Sequence, residues 1–223
     1  GEGIPKNVYA IHKLVRPESL ASPFLDLLNV KYVLSDQPLT PQGPTSHLRL
    51  VYQGEVLVYE NTDYLPRSFI MSGARAVATR EEALALMSRP GFDPRSAAVL
   101  EAEEPLSPTS EGAGLAHARI SSYTANQVVV DLEGSQGGYL VLTDNYFAGW
   151  RARVDGQEAP MYRAYGTFRA VPLPPGARQV VFKYSPDSFN LGLLTTFVAG
   201  LGMVMALGYW GWRGLADRLH TAS

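Results

Sequence analysis

A run of 25 residues without a formal charge constrains this chain most. It occupies 188–212, between Asp187 and Arg213, and reads SFNLGLLTTFVAGLGMVMALGYWGW. As an α-helix it would be roughly 37 Å long, against about 30 Å of bilayer hydrocarbon. Nine Leu, Val or Phe residues favour insertion, whereas five Gly, two Thr and Asn190 weaken it. We therefore predict a transmembrane helix over 188–212 rather than a buried core helix.

Small residues recur at four-residue spacing along this helix. They are Gly192, Thr196 and Gly200 in one row and Gly202 and Ala206 in another. Such spacing lets a second helix approach closely, so we expect other transmembrane helices as partners. The alternative is that Gly is simply common in membrane helices. Basic residues flank the helix on both sides, so the positive-inside rule leaves its orientation open.

Hydrophobicity alternates with a period of two in the segment before the helix. Residues 103–114 are rich in Pro, Ser, Gly and Glu and are predicted to be a linker or long loop. Seven predicted strands follow: Ala118–Tyr123, Gln127–Leu132, Gly138–Thr143, Trp150–Val154, Ala159–Arg163, Phe168–Leu173 and Arg178–Tyr184. Short strands separated by frequent turns are typical of a sandwich. We predict an antiparallel, jelly-roll-like β-sandwich over 115–187.

Residues 1–102 mix helix and strand signals. Ser22-Pro23 begins a short helix, and Thr79-Arg80-Glu81-Glu82 fits a capping box at the start of another. Strands are predicted at Val30–Leu34, Leu48–Tyr52, Val56–Tyr59, Phe69–Ser72, Arg75–Ala78 and Ala97–Glu101. The predicted fold class is α+β, mainly β. It comprises a mixed α/β lobe over 1–102, the sandwich, the helix and a tail over 213–223.

Composition excludes several functional classes. The 223 residues include 19 Lys+Arg, scattered singly, and 21 Asp+Glu, which excludes a generic nucleic-acid binder. The absence of Cys excludes disulfides, thiolate zinc sites and a cysteine nucleophile. The four His residues lack metal-ligand spacing, and no phosphate-binding glycine loop follows a strand. We predict no catalytic residue, no metal and no cofactor in this chain.

The densest polar and aromatic segment is TDNYFAGWR at 143–151, where one predicted strand ends and another begins. Aromatic faces beside Asp and Asn side chains are how proteins hold sugar rings. The candidate ligand-binding residues are Asp144, Asn145, Tyr146 and Trp150, with Tyr162 and Arg163 expected on the same rim. The alternative is that the aromatic rings close the core while Asp144 and Asn145 hydrogen-bond the local turn.

Several segments together resemble a known family. In chain order they are LLNVKYVLS at 27–35, VYEN at 58–61, LPRSF at 65–69, EEAL at 81–84, FDPRSAAVLE at 92–101, VLTDNYFAGWRARVDG at 141–156, YRAYGTFRAVPLPPG at 162–176 and YSPDSF at 184–189. With the apolar helix that follows, they resemble the C-terminal part of the bacterial YfhO-like membrane proteins. The opening Gly-Glu-Gly-Ile-Pro lacks Met and a signal segment, so we expect a fragment or a processed product.

This resemblance implies a large polytopic membrane protein similar to the GT-C glycosyltransferases. That class uses lipid-phosphate-linked sugars at the outer face of the cytoplasmic membrane, and YfhO-like proteins have been linked to glycosylation of cell-envelope polymers such as teichoic acids. The catalytic acidic residues of the class lie in an early loop outside this chain. The resemblance places residues before about 188 outside the bacterial cytoplasmic membrane and the C-terminus, with Arg213 and Arg218, in the cytoplasm.

Three functions fit these observations. The first is a non-catalytic extracytoplasmic accessory domain of a glycosyltransferase-like protein, docked on the other transmembrane helices of its parent. The second is a membrane-anchored carbohydrate-binding module that uses the segment 143–151 to bind an envelope glycan or a lipid-linked sugar. The third is a purely structural β-domain that stabilises its transmembrane bundle.

Overall fold

The computed structural model describes residues 20, 22–39, 46–102 and 115–220. In this part of the chain the α-helices are α1 (Pro23–Leu27), α2 (Arg80–Met87) and α3 (Asp187–His220). The strands are β1 (Tyr32–Ser35), β2 (Leu48–Gln53), β3 (Leu57–Asn61), β4 (Ser68–Met71), β5 (Ala74–Val77), β6 (Ala98–Glu101), β7 (Leu115–His117), β8 (Arg119–Tyr123), β9 (Gln127–Asp131), β10 (Gly138–Leu142), β11 (Trp150–Val154), β12 (Gln157–Ala159), β13 (Tyr162–Ala164), β14 (Phe168–Leu173) and β15 (Gln179–Tyr184). The mainly β fold with one C-terminal apolar helix is confirmed.

The strands form three sheets. A small sheet has the order β1-β3-β2, a larger one β5-β6-β13-β14-β10-β4-β7, and a third β12-β11-β15-β9-β8. All recorded pairings are antiparallel except that of β5 with β6. Strands from both sides of 103–114 pair within the seven-stranded sheet. That segment, predicted as a linker, lies outside the described residues.

The seven-stranded sheet is the central layer of the fold. One of its faces, including Ile70 and Leu140, packs with Val130 and Phe182 of the five-stranded sheet in one core cluster. The opposite face packs against α2 and forms a second cluster. Because both faces of the sheet are covered, all five residues of β10 are buried. The seven-stranded sheet therefore contains strands from both lobes predicted from the sequence: β4, β5 and β6 from the first, and β7, β10, β13 and β14 from the second.

The predicted capping box at the start of α2 is present. The Thr79 hydroxyl accepts a hydrogen bond from the Glu82 amide at 3.2 Å. The Glu82 carboxylate in turn accepts one from the amide of Ala78 at 2.9 Å, one residue before the cap. The first bond satisfies an amide that the first turn of a helix leaves without a partner.

The strand predicted at Ala159–Arg163 is wrong. The chain forms two short strands there instead, and they belong to different sheets: β12 ends at Ala159 and β13 begins at Tyr162. Pro160 lies between them and has no amide hydrogen to donate to a sheet. The chain therefore leaves the five-stranded sheet at this proline and enters the seven-stranded sheet. Strand β7 was not predicted.

Helix α3 leaves the sandwich directly after β15. Its segment Leu191–Arg213 is long and apolar enough to cross a membrane, and none of it is buried in the fold. Large apolar side chains such as Phe197 and Leu201 are exposed along it. An isolated helix that is apolar on all sides is unfavourable in water, so its surface matches lipid or other helices. The helix continues past the predicted end at 212 to His220.

Candidate functional site

Three neighbouring strands bring charged residues to one end of the seven-stranded sheet. Arg67 directly precedes β4, and Asp144 lies two residues beyond β10. The antiparallel register places Thr143 opposite Arg67, whose carbonyl accepts a hydrogen bond from the Thr143 amide at 2.9 Å. On the other side of β10, Arg169 of β14 lies opposite Leu142. Strand pairing thus places one arginine on each side of Asp144.

Asp144 is the centre of a hydrogen-bonded network. Its Oδ1 accepts from Arg67 Nη2 at 2.7 Å and from Arg67 Nε at 3.2 Å. Its Oδ2 accepts from the Tyr123 hydroxyl at 3.1 Å. The residue is only 7% exposed, so these bonds compensate for the loss of its hydration.

Arg169 is a buried cation beside this carboxylate. It is 5% exposed, and its guanidinium lies 3.8 Å from the ring centre of Trp150, which is cation–π geometry. Its Nε donates to the Asn145 carbonyl at 2.9 Å, whereas its Nη1 has no hydrogen-bond partner among the described residues. Burial lowers the pKa of Arg169, and the charge of Asp144 opposes that shift. The guanidinium stays protonated at neutral pH, because arginine does not lose its proton in proteins.

Arg67 and Tyr123 close the outer side of the network. Arg67 Nη2 donates to the Tyr123 hydroxyl at 2.8 Å, and the guanidinium also lies 4.7 Å from the tyrosine ring centre. The hydrogen bond to Asp144 raises the pKa of Arg67. Burial and the hydrogen bond to the Asp144 carboxylate raise the pKa of Tyr123. The phenol therefore remains a neutral hydrogen-bond donor over the physiological pH range.

These residues line a cleft of about 350 Å³ at one end of the sandwich. Its described lining residues are Arg67, Tyr123, Thr124, Ala125, Thr143, Asp144, Asn145, Trp150 and Arg169. Trp150 also contacts Tyr184, with ring centres 5.5 Å apart. Tyr184 ends β15, and α3 begins three residues later. The cleft is therefore at the end of the sandwich from which the membrane helix starts.

The candidate residues predicted from the sequence are divided between the cleft and its surroundings. Asp144, Asn145 and Trp150 line the cleft. Tyr146 instead lies beneath the Arg163 guanidinium, 5.0 Å from ring centre to cation, and Arg163 also bonds Glu101 at 3.1 Å. Tyr162 packs against the core cluster on the α2 side of the sheet. Tyr146 and Arg163 thus contact each other, and neither they nor Tyr162 is among the described lining residues of the cleft.

Sequence reasoning missed Arg67, Tyr123 and Arg169. Arg67 and Asp144 are 77 positions apart, so no local motif contains both. The signal that would have found Arg67 is its place two residues before a predicted strand, combined with a strand order that the sequence does not provide. Among the described residues, no cluster of three His, Asp or Glu side chains is placed to hold a metal ion.

Comparison with known proteins relates this region to one family. Residues 113–196 match the family described as bacterial membrane protein YfhO, and the match includes the segment 143–151 and the start of α3. No curated protein and no solved structure shows significant similarity to the chain. The match confirms a YfhO-like region over residues 113–196, in agreement with the resemblance drawn from the sequence. Together with the exposed apolar helix, it supports a membrane location for the chain.

Proposed function

Residues 113–196 are a YfhO-like region that continues into a membrane helix, and on this basis we propose that the chain is an accessory part of a polytopic membrane protein. The β-rich part is extracytoplasmic, and α3 is the last transmembrane helix. The parent protein resembles the glycosyltransferases that use lipid-linked sugars to modify cell-envelope polymers. The chain itself is non-catalytic and shapes the access of the acceptor from above the membrane bundle.

The observation that carries this proposal is the exposed helix at the end of a folded β-domain. All described side chains from Leu191 to Arg213 are exposed, including the rows that contain Gly192, Gly200 and Gly202. Small residues in such rows let neighbouring helices approach closely, so the surface of α3 suits packing within a bundle. The β-domain is attached to the helix through Tyr184 and Pro186, and this short connection keeps the domain close to the membrane surface.

Cysteine labelling tests the sidedness, because the chain has no Cys of its own. We would introduce Ser122→Cys in β8 or Ser223→Cys at the C-terminus and treat intact bacterial cells with a membrane-impermeant maleimide. The proposal expects labelling at position 122 in intact cells and at position 223 only after the cells are opened. The reverse pattern would place the β-domain in the cytoplasm and contradict the accessory role.

The coding sequence upstream of Gly1 tests the parent protein. A continuous reading frame with some ten or more apolar segments, and an acidic residue in the first outer loop, is expected. A start codon or signal peptide immediately upstream would instead leave a β-domain anchored by a single helix. That outcome would favour the second candidate function.

The second candidate is a membrane-anchored carbohydrate-binding module. It is favoured by Phe147, which is 63% exposed within the segment 143–151, two positions after the exposed Asn145. An exposed ring next to an amide suits stacking and hydrogen bonding to a sugar. Here Phe147→Ala, like Tyr146→Ala and Trp150→Ala, would abolish binding of envelope glycan to the folded chain. If these variants unfold, the rings are core residues and this candidate fails.

A further inference from the structure

The cleft formed by Arg67, Tyr123, Asp144 and Arg169 carries more positive than negative charge. Two arginines line it, and Asp144 is the one acidic residue among its described lining residues. The carboxylate already accepts hydrogen bonds from Arg67 and Tyr123. Asp144 lies near both arginines, so the two guanidiniums exceed the one carboxylate by one positive charge.

Arg169 provides a second, independent observation. Its side chain is more than nine-tenths buried, and its Nη1 lacks a hydrogen-bond partner among the described residues. Asp144 Oδ2 is 3.9 Å from this nitrogen, beyond hydrogen-bond distance. Buried side-chain nitrogens are nearly always paired in folded proteins. Arg169 Nη1 is thus a hydrogen-bond donor without an acceptor among the described residues, and it lies beside a cleft with excess positive charge.

We propose that this cleft binds a phosphoryl group. One phosphoryl oxygen accepts from Arg169 Nη1, and another accepts from the Arg67 guanidinium. A tetrahedral oxyanion offers several acceptor oxygens and so suits donors that converge from two arginine side chains. The cleft volume of about 350 Å³ leaves room for the atoms attached to the phosphorus, with Trp150 and Asn145 beside them.

The position of the cleft allows two sources of this group. The cleft is at the end of the sandwich where α3 begins, so the phosphate of a lipid headgroup lies within reach. A free phosphate ion offers the same chemistry. This inference depends neither on the side of the membrane that holds the β-domain nor on a glycosyltransferase parent. A negative result for phosphate binding would therefore leave the proposed function untouched, and the reverse also holds.

Trp150 provides the readout for a binding experiment. The chain has three Trp residues, so Trp210→Phe and Trp212→Phe leave Trp150 as the sole indole. The full chain in a neutral detergent is titrated with sodium phosphate, against sodium chloride at constant ionic strength. A parallel titration uses dihexanoyl phosphatidylglycerol, with dihexanoylglycerol as its phosphate-free control. A saturable change in Trp150 emission with either phosphate compound, and none with its control, supports the site, and the tighter ligand identifies the source.

Matched variants attribute the binding to the cleft. Arg67→Gln is expected to weaken phosphate binding by at least about tenfold, because it removes a charged donor. Arg49→Gln removes the same charge from the exposed pair with Glu60 in the small sheet and should leave the affinity unchanged. Should Arg67→Gln fail to fold, Tyr123→Phe tests the site without a charge change, because it removes the hydroxyl that accepts from Arg67 Nη2 and holds that guanidinium in place. Emission that responds equally to phosphate and chloride, or equal affinities in the cleft variants and Arg49→Gln, would overturn the proposal.

Discussion

Arg67 and Asp144 are 77 positions apart in sequence, yet Arg67 Nη2 lies 2.7 Å from Asp144 Oδ1. The pair joins residues from opposite sides of the segment 103–114. It also bridges an exposed cation and a buried anion, since the Arg67 side chain is about half exposed and that of Asp144 is buried. Substitution of Asp144 and substitution of Arg67 should therefore lower the unfolding free energy by different amounts.

Replacing Asp144 should destabilise the β-domain far more than replacing Arg67. Asp144→Asn leaves the buried Arg169 without its counter-charge, which typically costs about 3–5 kcal/mol of unfolding free energy. Arg67→Gln removes a half-exposed partner and should cost about 1 kcal/mol or less. Urea unfolding of the full chain in detergent, followed by near-ultraviolet circular dichroism, measures both values. Glu60→Gln, at the exposed pair with Arg49, is the control. Equal losses for Asp144→Asn and Glu60→Gln would contradict the central role of Asp144.

The positions of the strands could be predicted because their signal is local. Strands β11 and β14 have the bounds predicted from alternation and turn residues, Trp150–Val154 and Phe168–Leu173. Prediction failed at Pro160, where the alternation of the side chains continues but the sheet does not. There a single missing amide hydrogen matters more than the hydrophobic pattern.

The composition of the cleft could not be predicted from the sequence in the same way. Asp144 was found because it lies in a dense local segment. Arg67 and Arg169 reach it only because β4 and β14 both pair with β10. From the sequence alone, the two arginines are indistinguishable from ordinary solvent-exposed charged residues, because the strand order is not known. Register is set by contacts between distant segments, which a single sequence does not display.

Gly138 should tolerate no side chain. Its φ is +111°, and a Cβ added to it would lie 2.4 Å from the carbonyl oxygen of Met71 on β4. Because that neighbour is backbone, relief requires the two central strands to separate. Gly138→Ala is expected to lower the unfolding free energy by more than about 2 kcal/mol.

Gly73 offers a matched control for Gly138. An added Cβ there meets no atom within 4 Å. Gly73→Ala should therefore change the stability by about 1 kcal/mol or less in either direction. Thermal unfolding of both variants under identical conditions tests the difference. Similar melting temperatures would mean that the strands yield at this contact.

Tyr165 should make the fold sensitive to alkali. Its buried hydroxyl donates to the Pro94 carbonyl at 2.8 Å, and burial raises its pKa well above the ordinary value, with a smaller effect from Asp93. A folded-state pKa above the unfolded value of about 10 gives stability that is complete below that pH. This contribution is lost as the pH rises above about 10, because the unfolded chain then releases the proton more readily.

Tyr165→Phe should therefore reduce the loss of stability at high pH. The variant also loses a buried hydrogen bond, at a cost of about 1–2 kcal/mol near neutral pH. Urea unfolding at a series of pH values from 7 to 11 measures both effects. Tyr52→Phe, at an exposed position, should show the same pH profile as the unaltered chain. A Tyr165→Phe profile as steep as that of the unaltered chain would show that other groups cause the alkaline loss.

A charge in the middle of α3 should prevent membrane insertion. Leu201 is near the centre of the span Leu191–Arg213, and its side chain is exposed in the fold. Leu201→Arg replaces a favourable residue by one that costs roughly 2.5–3.5 kcal/mol at a helix centre, which is comparable to the modest insertion energy of this Gly-containing segment. After expression in bacteria, the unaltered chain should resist alkaline carbonate extraction, whereas Leu201→Arg should be released. Leu34→Arg places the same charge on an exposed β-strand position and should remain in the membrane. Retention of Leu201→Arg would mean that partner helices, rather than the apolarity of α3 alone, hold the chain in the bilayer.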